Sequence, residues 1–163
     1  MRMLFSLIWT TMPRQPEPAE ILDPVAPGTS RRMARTAQRD NRKERALRSI
    51  LHRRGLRFRV HGRLLEGSRR TVDIVFARAR VAVFIDGCFW HDCPIHGTSP
   101  TNNAAWWRAK IDANVARDRD TDARLVESGW TVVRIWEHED LSVAADRIEA
   151  LVRVDAHNAK TRP

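Results

Sequence analysis

Val72-Asp73-Ile74-Val75-Phe76-Ala77-Arg78-Ala79-Arg80-Val81-Ala82-Val83-Phe84-Ile85-Asp86 holds two short runs rich in branched and aromatic residues, joined by a tight basic turn. Runs of this length and composition read as the two strands of a hairpin. Upstream, Leu56-Arg57-Phe58-Arg59-Val60 alternates with a period of two, as a half-buried strand does. Before it lies a mostly polar helical region, from a cap at Ser30 through Met33, Ala37, Leu47, Ile50 and Leu51, broken near Arg39-Asp40 and ended before Gly55. Downstream, Trp107, Ile111, Val115 and Leu125 recur at helical spacing between Asn102 and Glu127, with Lys110, Asn114, Arg117 and Arg124 polar and Gly129 as the stop. Thr131 to Trp136 reads as a further strand, and Leu141 to about Val154 as a closing helix. The order helix, three strands, helix, strand, helix is an α/β arrangement around a central mixed β-sheet flanked by helices.

With 163 residues the chain has room for one ordinary domain, placed at 29–154. Residues 1–28, rich in Pro, Glu and Ala after Pro13, read as a disordered extension with Met12 as an alternative start, and 155–163 as a polar tail. The longest apolar stretches fall short of a bilayer span, so no membrane partner is expected, and the cytoplasm is the expected compartment. The formal net charge is +9, and from Arg31 to Arg59 twelve Lys or Arg face only Asp40 and Glu44. A surface that basic suits a phosphate backbone, which makes nucleic acid the expected partner.

The densest chemistry is Gly87-Cys88-Phe89-Trp90-His91-Asp92-Cys93-Pro94-Ile95-His96, with two thiols, two imidazoles and two aromatics in ten residues. Two cysteines can be small buried apolar side chains or a disulfide, but nothing else suggests an oxidising compartment. Cys88, Cys93 and His96 offer three soft donors in one loop, and His138 can supply the fourth of a structural zinc site. His91 is left over between the two cysteines, where such a site would hold it for chemistry.

A hard-cation site is also legible. Asp73 opens the middle strand one hairpin away from Ile85-Asp86, so its carboxylate and either the Ile85 carbonyl or the Asp86 carboxylate can share magnesium. Oxygen ligands, a basic surface and a nearby imidazole are the parts needed to hydrolyse a phosphodiester. Of the six tryptophans, Trp106, Trp130 and Trp136 are expected in the core, and Phe89 and Trp90, in a polar loop, at the surface.

These residues resemble the very short patch repair endonucleases. The resemblance is carried by Met33 through Arg39-Asp40 to Glu44, by Asp73-Ile-Val-Phe76, Phe84-Ile-Asp-Gly-Cys-Phe-Trp-His91, Trp107 with Lys110, Asn114-Val-Ala-Arg-Asp118, and Gly129-Trp130 leading to Trp136-Glu137. It implies the restriction-endonuclease-like fold and a monomeric nuclease that nicks DNA beside a thymine mispaired with guanine, the lesion left when 5-methylcytosine deaminates. It makes Asp73 the principal magnesium ligand with the Ile85 carbonyl beside it and His91 the general base. Glu44 would hydrogen-bond that base, and Asp118 would hold metal-bound waters. It implies further that Phe89, Trp90 and Trp107 wedge into the duplex, with Met33 approaching from the other side and Lys110 and Asn114 at the mismatch. A mismatch-repair protein and a cytosine methyltransferase enter as candidate partners. Three positions depart from the pattern: Val72 replaces proline, Asp86 stands in place of a second histidine, and His138 stands where cysteine is often found. The competing readings are a sequence-specific restriction or defence nuclease on the same fold and a non-catalytic zinc-containing DNA-binding module.

Overall fold

The expected hairpin forms the middle of a four-stranded sheet in a computed structural model that describes residues 41–98 and 100–161. In chain order the elements are α1 (Arg42–Arg53), β1 (Arg59–Gly62), β2 (Val72–Phe76), β3 (Val81–Asp86), α2 (Ala104–Glu127), β4 (Thr131–Trp136) and α3 (Leu141–Thr161). The sheet order is β1-β2-β3-β4, with the first two pairings antiparallel and β3 parallel to β4. A parallel pair needs a long crossover, and α2 supplies it. The extension 1–28, the Ser30 cap and Met33 lie outside the described residues. No helix among the described residues is long and apolar enough to cross a membrane.

Strand alternation sorts the core into two layers. Ile74, Phe76, Val81 and Val83 pack with Leu47 and Leu51 of α1 and with Ala144, Ala145 and Ile148 of α3. Val75, Ala82 and Phe84 turn the other way, against Leu125 of α2. Asp73 is two residues before Val75 and Asp86 two after Phe84, so the sheet delivers both carboxylates to the α2 face.

Two helices end at the expected glycines, and by the same closure. At the end of α1 the N–H of Gly55 bonds to the His52 carbonyl at 3.0 Å and that of Leu56 to the Leu51 carbonyl at 3.1 Å. This is a Schellman closure, and Leu56 is buried in the same core cluster as Leu51. Leu56 is therefore part of the helix cap, and β1 starts at Arg59, later than the alternation from Leu56 suggested. Gly129 and Trp130 close α2 in the same way onto Val126 and Leu125, at 2.8 and 2.9 Å. α3 continues to Thr161, so the expected polar tail is largely helix.

Gly55 has φ 78°, and an added Cβ there would meet nothing within 4 Å. Gly55→Ala isolates the left-handed backbone cost, and a loss of about 1 kcal/mol is expected, read as a lower urea midpoint with an unchanged slope.

Candidate active site

Asp73 sits where β2 and β3 begin to part. Its Oδ2 accepts the Ile85 N–H at 2.8 Å. The next carbonyl along β3, that of Asp86, accepts from Glu137 N–H at 2.9 Å on the β4 side. Successive strand residues point their backbone groups to opposite sides, and the N–H and C=O of one residue point the same way. The Ile85 carbonyl is thus directed to the β2 side, beside Asp73. Burial pushes the Asp73 carboxyl up to about 6; the Ile85 N–H opposes this, and the Glu44 and Asp86 carboxylates add to it. A half-buried carboxylate raised chiefly by desolvation, with two further anions nearby, is an environment that a cation would relieve.

Glu44 reaches this end from the first turn of α1, where Asn41 caps the helix by accepting the Glu44 N–H at 2.8 Å. The hydrogen bond expected from Glu44 to His91 is not made. Glu44 instead pairs with Arg48, one turn along α1, and lies 3.9 Å from His61 Nε2. Donor atoms of Glu44, His61 and Asp73 all fall within 4.8 Å of one another. The sequence reading missed His61. It lies between the pairs Val60↔Ile74 and Gly62↔Val72, opposite Asp73, a placement that only the strand register supplies.

His91 is oriented by acids from two other elements. Its Nδ1 lies 2.5 Å from Asp118 Oδ2 on α2 and 3.7 Å from Asp86 Oδ1 at the end of β3. Asp118, expected to hold metal-bound waters, thus stands at the His91 nitrogen where Glu44 was expected. Burial tends to raise the Asp118 carboxyl, but the His91 hydrogen bond and charge, with Arg134, hold it below the usual range. Asp86, considered above as a cation ligand, is occupied otherwise: both its oxygens accept from Arg134 Nη1 at 2.8 Å. Burial still leaves its carboxyl raised, against the pull of Arg134 and His91.

The four soft donors converge. Sγ of Cys88 and Cys93 and a ring nitrogen of His96 and of His138 lie within 4.8 Å of one another, and neither cysteine is in a disulfide. Cys88 Sγ is 3.1 Å and Cys93 Sγ 3.6 Å from His138 Nδ1. Around a tetrahedral zinc, sulfur and nitrogen ligands stand about 3.5 Å apart, so the donor set fits. Register explains how residues 50 positions apart meet: Asp86 pairs with Trp136, so Cys88 and His138 leave neighbouring strands side by side. Glu137 helps hold the loop by accepting the Cys88 N–H at 2.8 Å. Burial, with Cys93 alongside, pushes the Cys88 thiol up to about 11. Burial acts the same way on Cys93, but N–H groups of His96 and Ile95 outweigh it and lower that thiol.

The aromatic residues form one edge-to-face group. Phe89 lies 5.1 Å from Trp90 and 5.4 Å from Trp107, centroid to centroid. Phe89 and Trp90 are half-buried, but Trp107 is only 4% exposed. Trp107, expected as a third wedge, packs against both of these rings and backs them. Trp106, expected in the core, is 44% exposed, with Lys110 Nζ 5.3 Å from its ring centroid. Helix phase explains the outward turn of Trp106, because α2 can turn only one of two adjacent tryptophans inward and Trp107 shares the inner face with Ile111. Asn114 Nδ2 donates to the Trp90 carbonyl at 3.3 Å, tying α2 to the aromatic loop.

Two adjoining hollows, of about 740 and 610 Å³, share Asp73, Ile85, His91 and Arg117 on their walls. Arg69, Arg70 and Arg124 line the first, and Arg42, Lys43 and Lys110 the second. The basic run read from the sequence thus contributes only part of the cleft's charge. Within it Arg48 pairs with Glu44 and Arg54 with Asp146 and Glu149, while much of the lining comes from the β1–β2 loop and α2.

A family model described as DNA mismatch endonuclease Vsr matches residues 21–96. The chain is 45% identical over 131 residues to the type II nicking enzyme V.NaeI of Lentzea aerocolonigenes, covering 79% of this chain and 77% of that protein. To the type II nicking enzyme V.XorIIP of Xanthomonas oryzae pv. oryzae it is 41% identical over 123 residues, 74% and 86% of the two chains. To the DNA mismatch endonuclease Vsr of Escherichia coli strain K12 it is 39% identical over 110 residues, 66% and 68% of the two.

Proposed function

Since this chain belongs to the Vsr family of DNA mismatch endonucleases, and is therefore an endodeoxyribonuclease, we propose that it nicks one strand of duplex DNA beside a thymine mispaired with guanine. The observation that carries the reading is the shared cleft: Asp73, Ile85 and His91 line two adjoining hollows together with Arg and Lys side chains, a surface that suits a phosphodiester backbone. Asp73 and the Ile85 carbonyl would hold magnesium, which supplies neutralisation of the charge that builds on the phosphate. Asp118 takes His91 Nδ1, leaving Nε2 to accept a proton from the water that attacks phosphorus. Arg117, Arg69 and Arg70 border the same space and draw the backbone in. Cys88, Cys93, His96 and His138 would hold a structural zinc that clamps the His91 loop from outside the cleft.

Mismatch selection falls to Phe89 and Trp90, on the pedestal of Trp107, with Lys110 and Asn114 beside them. Inserting a ring beside a base pair costs on the order of a few kcal/mol of stacking, and least at a pair already poorly stacked. A cytosine methyltransferase would supply the precursor of the lesion, and a mismatch-repair protein would act on the nick.

A second reading is favoured by the names of two relatives, type II nicking enzymes: the same chemistry could serve a sequence-defined site. Duplexes identical except for one T:G, C:G or 5-methyl-C:G pair separate the two. Nicking of the T:G duplex at least about 100-fold faster than either matched duplex is expected from the stacking difference. Equal cutting of all three overturns the mismatch reading and supports the second.

A further inference from the structure

Arg134 lies in β4 between the core residues Val133 and Ile135, so its side chain emerges on the opposite, α2 face of the sheet. Its Nη1 donates to both Asp86 oxygens at 2.8 Å, while Nε and Nη2 each meet one Asp122 oxygen at 2.9 Å. The Phe84 ring lies 4.7 Å from the guanidinium carbon. Nη2 also stands 3.7 Å from the Asp118 carboxylate. Asp118 and Asp122 are one turn apart on α2, so a single helix face hands one acid to His91 and the next to Arg134.

His91 Nδ1 has one proton to give and two carboxylates within reach, Asp118 at 2.5 Å and Asp86 at 3.7 Å. Asp86 is only 3% exposed. With no cation on it, Asp86 would be a buried, uncompensated anion and would draw the imidazole towards itself. Neither Arg134 nor Asp122 belongs to any motif read from the sequence, and Asp86 is one of the positions where the chain departs from the family pattern.

We propose that Arg134 is a positioning residue for the His91 base: by occupying both oxygens of Asp86 it reserves His91 Nδ1 for Asp118 and keeps Nε2 turned to the cleft. The assignment deepens the proposed nuclease reading and rests on it. The planar fork matters, because an ammonium is a point charge that cannot present paired N–H groups to two carboxylates in one plane.

The test compares Arg134→Lys and Arg134→Gln with wild type, each also in an Asp118→Asn background. On the T:G duplex both single variants are expected to lose roughly 10- to 100-fold in kcat with KM unchanged, the scale of a misoriented base. In the Asp118→Asn background the same substitutions should cost nothing further, because Arg134 acts through that hydrogen bond. Proton NMR should show a strongly downfield His91 Nδ1–H signal in wild type that is lost in both variants. Additive losses, or a downfield signal unchanged in the variants, overturn the assignment. If the Arg134 variants do not fold, Asp122→Asn loosens the guanidinium without uncovering Asp86; a smaller kcat loss of the same kind supports the proposal and a wild-type rate overturns it. Failure of the wild-type protein to nick T:G sinks the substrate reading alone, and the NMR comparison, which needs no DNA, still decides the role of Arg134.

Discussion

Asp73→Asn is expected to abolish nicking and at the same time to raise the melting temperature measured without added divalent metal. Asparagine keeps the acceptor that Ile85 N–H uses, so the parting of β2 and β3 is preserved. What it removes is the charge. Burial holds the Asp73 carboxyl at about 6, against about 3.9 in an open chain. The folded state therefore binds more protons than the unfolded chain between those values, and this group's contribution to stability falls as pH rises through that window. At pH 7.5 the full penalty is present, on the order of 2–3 kcal/mol before any cation relieves it. Asp73→Asn should remove that penalty, so its advantage in melting temperature is large at pH 7.5 and small at pH 4. Magnesium should stabilise wild type more than the variant. Nicking should fall by at least about 1000-fold, the several kcal/mol of charge stabilisation that a lost metal site represents. A variant that melts lower than wild type at pH 7.5, or that still cuts, would refute the placement of the cation at Asp73.

Stripping zinc, or Cys88→Ser, is expected to cost at least about 100-fold in activity at saturating magnesium. His91 lies between Cys88 and Cys93 in a loop whose backbone is held by a few turn bonds, including Cys93 N–H to the Cys88 carbonyl at 3.0 Å. Phe89 and Trp90 anchor the start of the loop, but its far end has little apolar cover: Pro94, Ile95 and His96 are exposed. Its order therefore depends on the four converging donors, and binding energy at such a site is folding energy, of several kcal/mol or more. The sheet, with its two separate core layers, should survive. Metal analysis should find one zinc per chain in wild type, and limited proteolysis should cut between residues 87 and 103 only after chelation or in Cys88→Ser. Full activity and an intact loop without zinc would show that the cluster serves another purpose.

Much of this was legible in the chain because it is local. The apolar runs 72–76 and 81–85 could only be paired strands, Trp107, Ile111 and Leu125 mark the inner face of α2, and Cys88, Cys93 and His96 lie close enough in sequence to be seen as one donor set. Local rules also explain the misreadings. Leu56 continued an alternating pattern but was taken by the closure of α1, and Trp106, expected in the core, lies one residue out of phase with the inner face that starts at Trp107.

Sequence by itself determined the layered α/β architecture, the soft-donor cluster, and the presence of a carboxylate and an imidazole able to serve a phosphodiester nuclease. Only the tertiary structure decided which acid meets His91, that Asp86 belongs to Arg134, and that His61 stands opposite Asp73. These outcomes are set by strand register and by the docking of α2, where shifts of one residue or an ångström change partners. A hydrogen bond exists at 2.5 Å and is gone at 3.7 Å, a difference that no spacing along the chain encodes.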